Sequence, residues 1–282
     1  MDFLNYLINA IDTLPTLPTI YSAITEAMGN PKTSADKLAQ IVSTDQVSSI
    51  KVLKVANSPI FGFRGRIETI SQAVFYLGFN EIRNIVFALS VMNSFSKSST
   101  FTKFKPVEFW EHSIATGITT RLIGAGIGVK TLENFFLAGI LHDIGKLLFF
   151  QFAKKDFERV FEVMESQNLN LLEAEQNVFG ATHTKAGQLL AQKWKLPPSL
   201  ENAISYHHIG IAQSDSDTLT PSVYLGNMVA KMLCLGNAGN ENIPRPEQTI
   251  WKKILLPPGF FVRNRKKLEE EFQHTTRIML YE

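Results

Sequence analysis

The chain has 282 residues, of which 45% are hydrophobic and 19% are charged, a composition typical of a globular protein with a substantial core and not of a disordered chain. Its 28 basic and 26 acidic residues leave a formal charge of +2, which provides no strong field for nucleic acid or anionic lipid, so neither is an expected partner. The single cysteine, Cys234, excludes an internal disulfide, and the N-terminus lacks the basic start of a signal peptide, so we expect a reducing, cytoplasmic setting.

Apolar residues recur at intervals of three and four almost throughout, and strand-type alternation is scarce, so the sequence predicts an all-α fold. The first predicted helices cover residues 3–12, 18–29, 34–43, 45–57, 69–77 and 80–96. Ser34, Asp45 and Asn80 are of the residue types that cap helix N-termini. The polar segment 96–103 follows, so we expect residues 1–96 to form an N-terminal helical lobe.

Longer and more apolar helices follow this boundary. They are predicted at residues 106–126, 131–152, 154–167, 170–179, 183–194, 198–208, 220–235, 246–255 and 261–280. Pro106 and Pro198 lie where the first turn of a helix tolerates proline. We expect residues 104–235 to form a second helical core and residues 236–282 to form a C-terminal helical extension.

The predicted helix at 131–152 is apolar on every side, yet it contains His142, Asp143 and Lys146 near its middle. Charged side chains in the middle of a membrane-spanning helix would be very costly in lipid, so no membrane span is predicted. Neighbouring side chains on a helix point about 100° apart, so His142 and Asp143 could both turn toward an ion between them. The pattern also fits a buried aspartate that is held by Lys146 and backbone amides beside a core histidine.

Other histidines lie on different predicted helices, each with an otherwise apolar face. They are His112, His183, His207 and His208. The simplest packing that satisfies all of them brings several imidazoles to one pocket between helices. Imidazole nitrogen and carboxylate oxygen suit Mn, Fe and Zn. The residues alone therefore leave two alternatives, a metal site or a group of core histidines.

Several segments together resemble a known family. "FLAGILHDIGK", with "FWEHS" before it and "FGATHTKAGQLLAQKWKLPPSL" and "AISYHH" after it, resembles the HD superfamily of metal-dependent phosphohydrolases in its HDOD branch (HD-related output domain). The N-terminal segments "LPTLPTIYSAI", "LAQIVSTDQVSSIKVLKVANSPIFG" and "IETISQAVFYLGFNEIRNIVFAL" are similar to the signatures of that branch. The resemblance covers residues 14–235 and implies the HDOD fold, an HD-like helical core with an N-terminal helical lobe.

The resemblance also implies metal ligands. In catalytic HD enzymes a His, the His-Asp pair and a later Asp hold a metal ion, which carries over to His112, His142, Asp143 and the position of Asn227. The amide of Asn227 replaces the expected carboxylate, so the site loses a charge and a strong ligand.

Two-metal relatives of the HD-GYP type imply His183 and either His207 or His208 as further ligands, but their Gly-Tyr-Pro element is missing from this chain. If the protein were an enzyme, Asp143 would serve the metal and Lys146 would meet a substrate phosphate.

HDOD modules resemble HD enzymes that have lost catalysis and serve in bacterial signalling. With Asn227 at a ligand position, we expect a non-catalytic signalling module that acts through signalling proteins or through a small phosphate-containing ligand in the cavity. The alternative is a metal-dependent phosphohydrolase acting on a nucleotide or cyclic nucleotide. A divalent metal (Mn, Fe, Zn or Mg) is expected to bind weakly or not at all, because Asp143 would supply the only negative charge to it.

Overall fold

The structure, a computed structural model, describes residues 16, 19–63, 65–95, 101, 103–211, 216–239, 242, 243 and 245–282. All regular elements in these ranges are helices, and no strand occurs among them, which confirms the predicted all-α fold. The predicted helix at 3–12 lies outside the described residues.

The helices before the polar boundary are short. They are α1 (Thr19–Met28), α2 (Ala35–Val42), α3 (Gln46–Ala56), α4 (Ile70–Leu77) and α5 (Phe79–Ser94), with a 3₁₀ turn at Pro59–Phe61. The helices after it are α6 (Pro106–Gly126), α7 (Glu133–Leu141), α8 (Ile144–Phe152), α9 (Lys154–Gln167), α10 (Leu171–Phe179), α11 (His183–Lys193), α12 (Pro198–Tyr206), α13 (Leu219–Met232), α14 (Gln248–Lys253) and α15 (Phe260–Thr276), which a π-helical turn continues at Arg277–Tyr281.

Two of the three predicted helix caps are present. Ser34 accepts a hydrogen bond from a backbone N–H of the first turn of α2, and Asp45 accepts two from the first turn of α3. The prediction for Asn80 is wrong, because α5 already begins at Phe79, directly after Gly78, and Asn80 lies inside its first turn.

The described chain divides into two compact units. One comprises Phe95–Pro258, and the other joins residues 19–94 to Gly259–Glu282. The expected extension at 236–282 is therefore divided between the units. In the second unit, Ser58 Oγ donates a hydrogen bond of 2.6 Å to the buried carboxylate of Glu271 on α15. This buried bond ties the last long helix to the N-terminal helices.

The predicted helix at 131–152 is broken at the His-Asp pair. Helix α7 ends at Leu141 and α8 begins at Ile144, with His142 and Asp143 in the turn between them. Asp143 leaves the helical region (φ −99°, ψ 11°), and its carbonyl accepts the N–H of Lys146, three residues on, at 2.9 Å. The single-helix prediction is therefore wrong at the residues that matter most for function.

Glu133–Phe152 is also the one stretch of the described ranges that is long and apolar enough to cross a membrane by length and composition. Within this stretch, 89% of the most apolar window is buried inside the fold. Both helices thus belong to the protein core, and their apolar surfaces pack against neighbouring helices.

Glycines allow the helices that carry polar residues to approach closely. A Cβ atom on Gly139 of α7 would lie 2.4 Å from the Cα atom of Gly117 on α6. A Cβ atom on Gly145 of α8 would lie 1.9 Å from the carbonyl oxygen of His183 at the start of α11. Because larger residues cannot occupy these positions without displacement of a helix, the two contacts fix where the His-Asp turn lies.

Candidate metal centre

The first unit brings the predicted site residues together around the turn between α7 and α8. Two groups of potential ligands share Asp143; the donor atoms of Asp143, His183, His207 and His208 lie within 4.8 Å of one another, and so do those of His112, His142 and Asp143. The three-histidine group consists of Asp143, His183, His207 and His208, and the Asn227 group consists of His112, His142, Asp143 and Asn227.

The donor atoms of the three-histidine group lie close together. Asp143 Oδ1 lies 3.1 Å from His183 Nε2 and 3.2 Å from His207 Nε2. His183 Nε2 lies 3.0 Å from His208 Nε2 and 3.4 Å from His207 Nε2. Ligands at about 2.0–2.1 Å from a tetrahedral zinc ion lie about 3.3 Å apart. These four distances are close to the separation that such an ion requires of its ligands.

The outer nitrogens of two of these rings are fixed by hydrogen bonds. His183 Nδ1 donates to the carboxylate of Glu175 at 2.7 Å, and His207 Nδ1 donates to the carbonyl of Ile204 at 2.9 Å. In the neutral rings, Nε2 then carries a lone pair. Asp143 Oδ1 has no hydrogen-bond partner of good geometry. Lone pairs and a carboxylate oxygen that face one point repel each other unless a proton or a metal ion lies there.

Glu175 is a site residue that the sequence analysis missed. Its carboxylate is fully buried and also accepts the backbone N–H of His183 at 2.8 Å. A carboxylate that holds the outer nitrogen of a histidine is the usual support of a histidine ligand, since it fixes the ring and makes it a stronger donor. A signal was present, because Leu171, Glu175 and Phe179 are spaced four apart and so place this glutamate on the apolar face of α10.

The Asn227 group is less available to a metal ion. His112 Nε2 lies 3.1 Å from Asn227 Oδ1, so a hydrogen bond occupies the nitrogen that would bind metal. Asp143 Oδ2 accepts a hydrogen bond from Lys146 Nζ at 2.7 Å. His142 is the exception, because its Nδ1 donates to the carbonyl of Gly139 at 2.7 Å, and its Nε2, 3.3 Å from Asp143 Oδ2, has no hydrogen-bond partner of good geometry among the described residues.

Burial dominates the proton equilibria of the site. It lowers the pKa of His207 to about 3 and holds the pKa of His112 and of His208 well below 6.5, with help from neighbouring histidines. These rings are therefore neutral, as ligands must be. Burial opposes ionisation of Asp143, yet the Lys146 ammonium and adjacent histidines outweigh it and hold the Asp143 pKa well below 3.8.

His183 behaves differently. Burial lowers its pKa, but the Glu175 and Asp143 carboxylates together more than offset this effect, and the resulting pKa is raised above 6.5. A proton is thus the natural competitor of a metal ion at His183.

Comparison with known proteins places the chain in a family. A family model of the HDOD domain matches residues 14–209. The chain belongs to the HDOD family. The solved structure of an HDOD domain protein of unknown function from Geobacter sulfurreducens is similar over 98% of both chains, with 23% identity and a TM-score of 0.78. A Shewanella amazonensis SB2B protein, provisionally named a phosphohydrolase, is similar over 97% of both chains, with 21% identity and a TM-score of 0.74.

These structural likenesses establish the HDOD fold and no more. A curated relative, an uncharacterised protein of Treponema pallidum (strain Nichols), is 25% identical over 237 residues. The match takes in 83% of this HDOD chain and 45% of that relative, so the chain spans about half the length of the curated protein it matches.

Proposed function

We propose that this HDOD protein is a bacterial, cytoplasmic signalling module that does not catalyse hydrolysis and that holds a divalent metal ion in its three-histidine group. The observation that carries the proposal is the set of four donors of Asp143, His183, His207 and His208, separated by 3.0–3.4 Å where the distances are resolved. A metal ion at this position would stabilise the arrangement of α8, α11 and the end of α12, and so the shape of the unit that meets partners.

The number of protein ligands argues against hydrolysis at this position. Structural zinc sites use four protein ligands in a tetrahedron, whereas catalytic sites keep one position for water or substrate. The three-histidine group supplies four donors and leaves no tetrahedral position open. The Asn227 group lacks its second carboxylate, and Lys146 competes with metal for the remaining one. Both features support a regulatory role.

The donor set also narrows the choice of metal. Three imidazoles and one carboxylate suit Zn, Fe or Mn, whereas Mg prefers oxygen ligands and retains water. The proposal therefore favours the first three of the metals expected from the sequence. Contacts with other signalling proteins or occupancy of the neighbouring cavity by a small ligand would provide the regulatory input.

Mass spectrometry of the metal content tests the proposal. The protein is purified without chelator and without a metal-binding tag. We expect about one ion per chain, and a large loss of bound metal in His207→Ala. His274→Ala is the matched control, because His274 lies on α15 in the other unit. Equal metal content in wild type and His207→Ala, or no binding of added Zn²⁺ by the wild type, would contradict the proposed site.

One observation favours a second function, metal-dependent hydrolysis of a nucleotide or cyclic nucleotide. Among the described residues His142 Nε2 has no hydrogen-bond partner of good geometry. Asp143 Oδ2 lies 3.3 Å from His142 Nε2 and Oδ1 lies 3.1 Å from His183 Nε2, so the carboxylate could bridge two ions. Assays with nucleoside monophosphates and cyclic dinucleotides in the presence of Mn²⁺ separate the two functions. We expect no turnover, whereas robust hydrolysis that is abolished by chelator and by His142→Ala would establish the enzyme.

A further inference from the structure

The first unit contains a groove to which none of the candidate metal ligands contributes. Its volume is about 810 Å³, within the range of about 300–1,000 Å³ that is usual for binding clefts. Most of its lining comes from the corner between α9 and α10, and the rest comes from the start of α6 and the segments next to α6 and after α13. We call it the α9–α10 groove.

The corner that forms most of the groove is fixed by its own hydrogen bonds. Asn168 ends α9 in the left-handed conformation (φ 52°), and its backbone N–H donates to the carbonyl of Met164. Asn170 then begins α10 in a capping box, in which its side chain and that of Glu173 each accept the backbone N–H of the other residue. The two asparagine side chains are therefore presented by a well-defined turn.

The segment after α13 is also held in place. The backbone N–H of Asn237 donates to the carbonyl of Glu108 on α6 at 2.9 Å. Gly239 (φ 79°) lies against the ring of Phe161 on α9, where a Cβ atom would be 2.8 Å from the ring. Both sources of the lining are thus anchored to neighbouring helices, so the groove is preformed and a ligand need not order it.

Three asparagines offer amide groups to the groove that the fold does not use fully. Asn170 Oδ1 accepts the N–H of Glu173 at 3.0 Å, and Asn237 Oδ1 accepts the N–H of Gly239 at 2.7 Å. In the described part of the chain the NH₂ groups of both asparagines have no hydrogen-bond partner, and the side chain of Asn168 forms no hydrogen bond. Each NH₂ group can donate two hydrogen bonds, so the groove suits a ligand rich in acceptors.

The charged residues of the groove select among such ligands. Its lining includes three glutamates, Glu108, Glu165 and Glu173, and one lysine, Lys103. Carboxylates repel the oxygens of a phosphate, whereas the carbonyl of a peptide group is neutral. The carboxylates of Glu108 and Glu165 pair with lysines. That of Glu173 forms no ion pair with a lysine or arginine among the described residues, and a basic side chain can pair with it.

We propose that the α9–α10 groove binds an extended peptide segment of a partner protein, with a basic side chain of the segment beside Glu173. The asparagine amides donate to backbone carbonyls of the segment, which are free in an extended chain but bonded internally in a helix. Met164 and Leu169, both partly exposed in the groove, contact its apolar side chains. The inference rests on the proposed signalling role, because it names the surface at which the module meets a signalling protein.

Selection from a phage-displayed library of random linear peptides, on the full chain with chelator present, tests the inference. Fluorescence anisotropy then measures the affinity of the selected peptides for wild type and variants. Asn168→Gly keeps a residue that tolerates the left-handed conformation, and Asn170→Ser keeps a side-chain oxygen for the helix cap, yet both remove an amide. We expect the double variant to bind the selected peptides about tenfold more weakly or worse, equivalent to about 1.4 kcal/mol.

Glu173→Gln tests the charge separately, because glutamine can take the same position in a capping box. We expect the selected peptides to contain Lys or Arg and to bind Glu173→Gln about two- to fivefold more weakly, with a smaller difference at high salt. Glu162→Gln is the matched control, since Glu162 is an exposed glutamate of α9 that does not line the groove. Circular dichroism establishes that each variant is folded.

Three results would overturn the inference. They are no enrichment of any peptide on folded wild-type protein, selected peptides that bind the double variant as tightly as wild type, and selected peptides without a basic residue or insensitive to Glu173→Gln. Because the protein is metal-free throughout, failure of the proposed metal site leaves this experiment unaffected, and failure of peptide binding leaves the metal measurement standing.

Discussion

Replacement of Glu175 by glutamine tests whether the buried carboxylate exists to support a metal ligand. Glutamine has nearly the same shape, but it carries no charge and offers one carbonyl oxygen instead of two carboxylate oxygens. Glu175 receives the side-chain Nδ1–H of His183 at 2.7 Å and its backbone N–H at 2.8 Å. Both bonds end on Oε2, so the glutamine carbonyl oxygen could accept both, but an NH2 group would then replace Oε1 at 2.9 Å from Nδ1, and the charge that strengthens the bonds is lost.

Two effects of the change oppose each other. Since the Glu175 carboxylate raises the pKa of His183, its removal lowers that pKa and weakens the proton as a competitor for Nε2. Loss of the Glu175 carboxylate also makes the His183 imidazole a weaker metal ligand and frees the ring to rotate. We expect the second effect to win, because substitution of such supporting groups commonly costs about 10- to 100-fold in metal affinity, or about 1.4–2.7 kcal/mol.

Competition of the protein with a chromophoric chelator for Zn²⁺ measures this affinity directly. Glu162→Gln is the control, because Glu162 is an exposed glutamate on α9. Circular dichroism of the metal-free proteins establishes that each variant is folded. A Zn²⁺ affinity of Glu175→Gln equal to that of wild type, in a folded protein, would refute the reasoning and leave Glu175 as a purely structural partner of His183.

Three further changes have definite expected outcomes. Burial lowers the pKa of His207 to about 3, so below about pH 6.5 the unfolded chain takes up a proton that the folded chain excludes. Urea unfolding in the presence of chelator should therefore show that stability falls as the pH is lowered from about 6.5, by up to about 1.4 kcal/mol per pH unit from this residue. The dependence on pH should be shallower in His207→Gln. Gly145→Ala should cost about 1–3 kcal/mol of stability and most of the Zn²⁺ affinity, both measurable on one preparation, because its Cβ atom would collide with the carbonyl of His183. Asn227→Asp should add a second equivalent of bound metal in calorimetry, because it restores a carboxylate next to His112.

The sequence predicted the helices because their apolar residues recur with a helical period, and packing of apolar faces decides where helices form. The predicted range 106–126 coincides with α6, and 154–167 coincides with α9. The break at His142 and Asp143 was not predictable in this way, because an apolar run continues through the turn and periodicity reports burial and not backbone direction. The turn follows from tertiary contacts, above all the close approach of Gly145 to His183.

The sequence predicted which residue types form the candidate site, but not that they form two groups that differ in their availability to a metal ion. Histidines in apolar surroundings identified His112, His183 and the His207–His208 pair, since such residues need a partner when buried. Which nitrogens are occupied depends on side-chain contacts that no spacing reveals, such as the bond between His112 and Asn227 at 3.1 Å. The ligand roles of these residues stay predictions until metal is measured.

A single residue, Asn227, decides how the second group of potential ligands can bind metal. A carboxylate at this position would complete the classical metal site with His112, and it would also lie four residues before Lys231 on α13, the spacing at which a carboxylate and an ammonium pair on a helix. With asparagine there, the metal position is weakened, and the Lys231 ammonium forms no ion pair with a carboxylate among the described residues. Asn227→Asp should therefore raise metal affinity to the extent that the new carboxylate faces His112 and does not pair with Lys231. Unchanged metal affinity in folded Asn227→Asp would show that the carboxylate pairs with Lys231 and not with a metal ion.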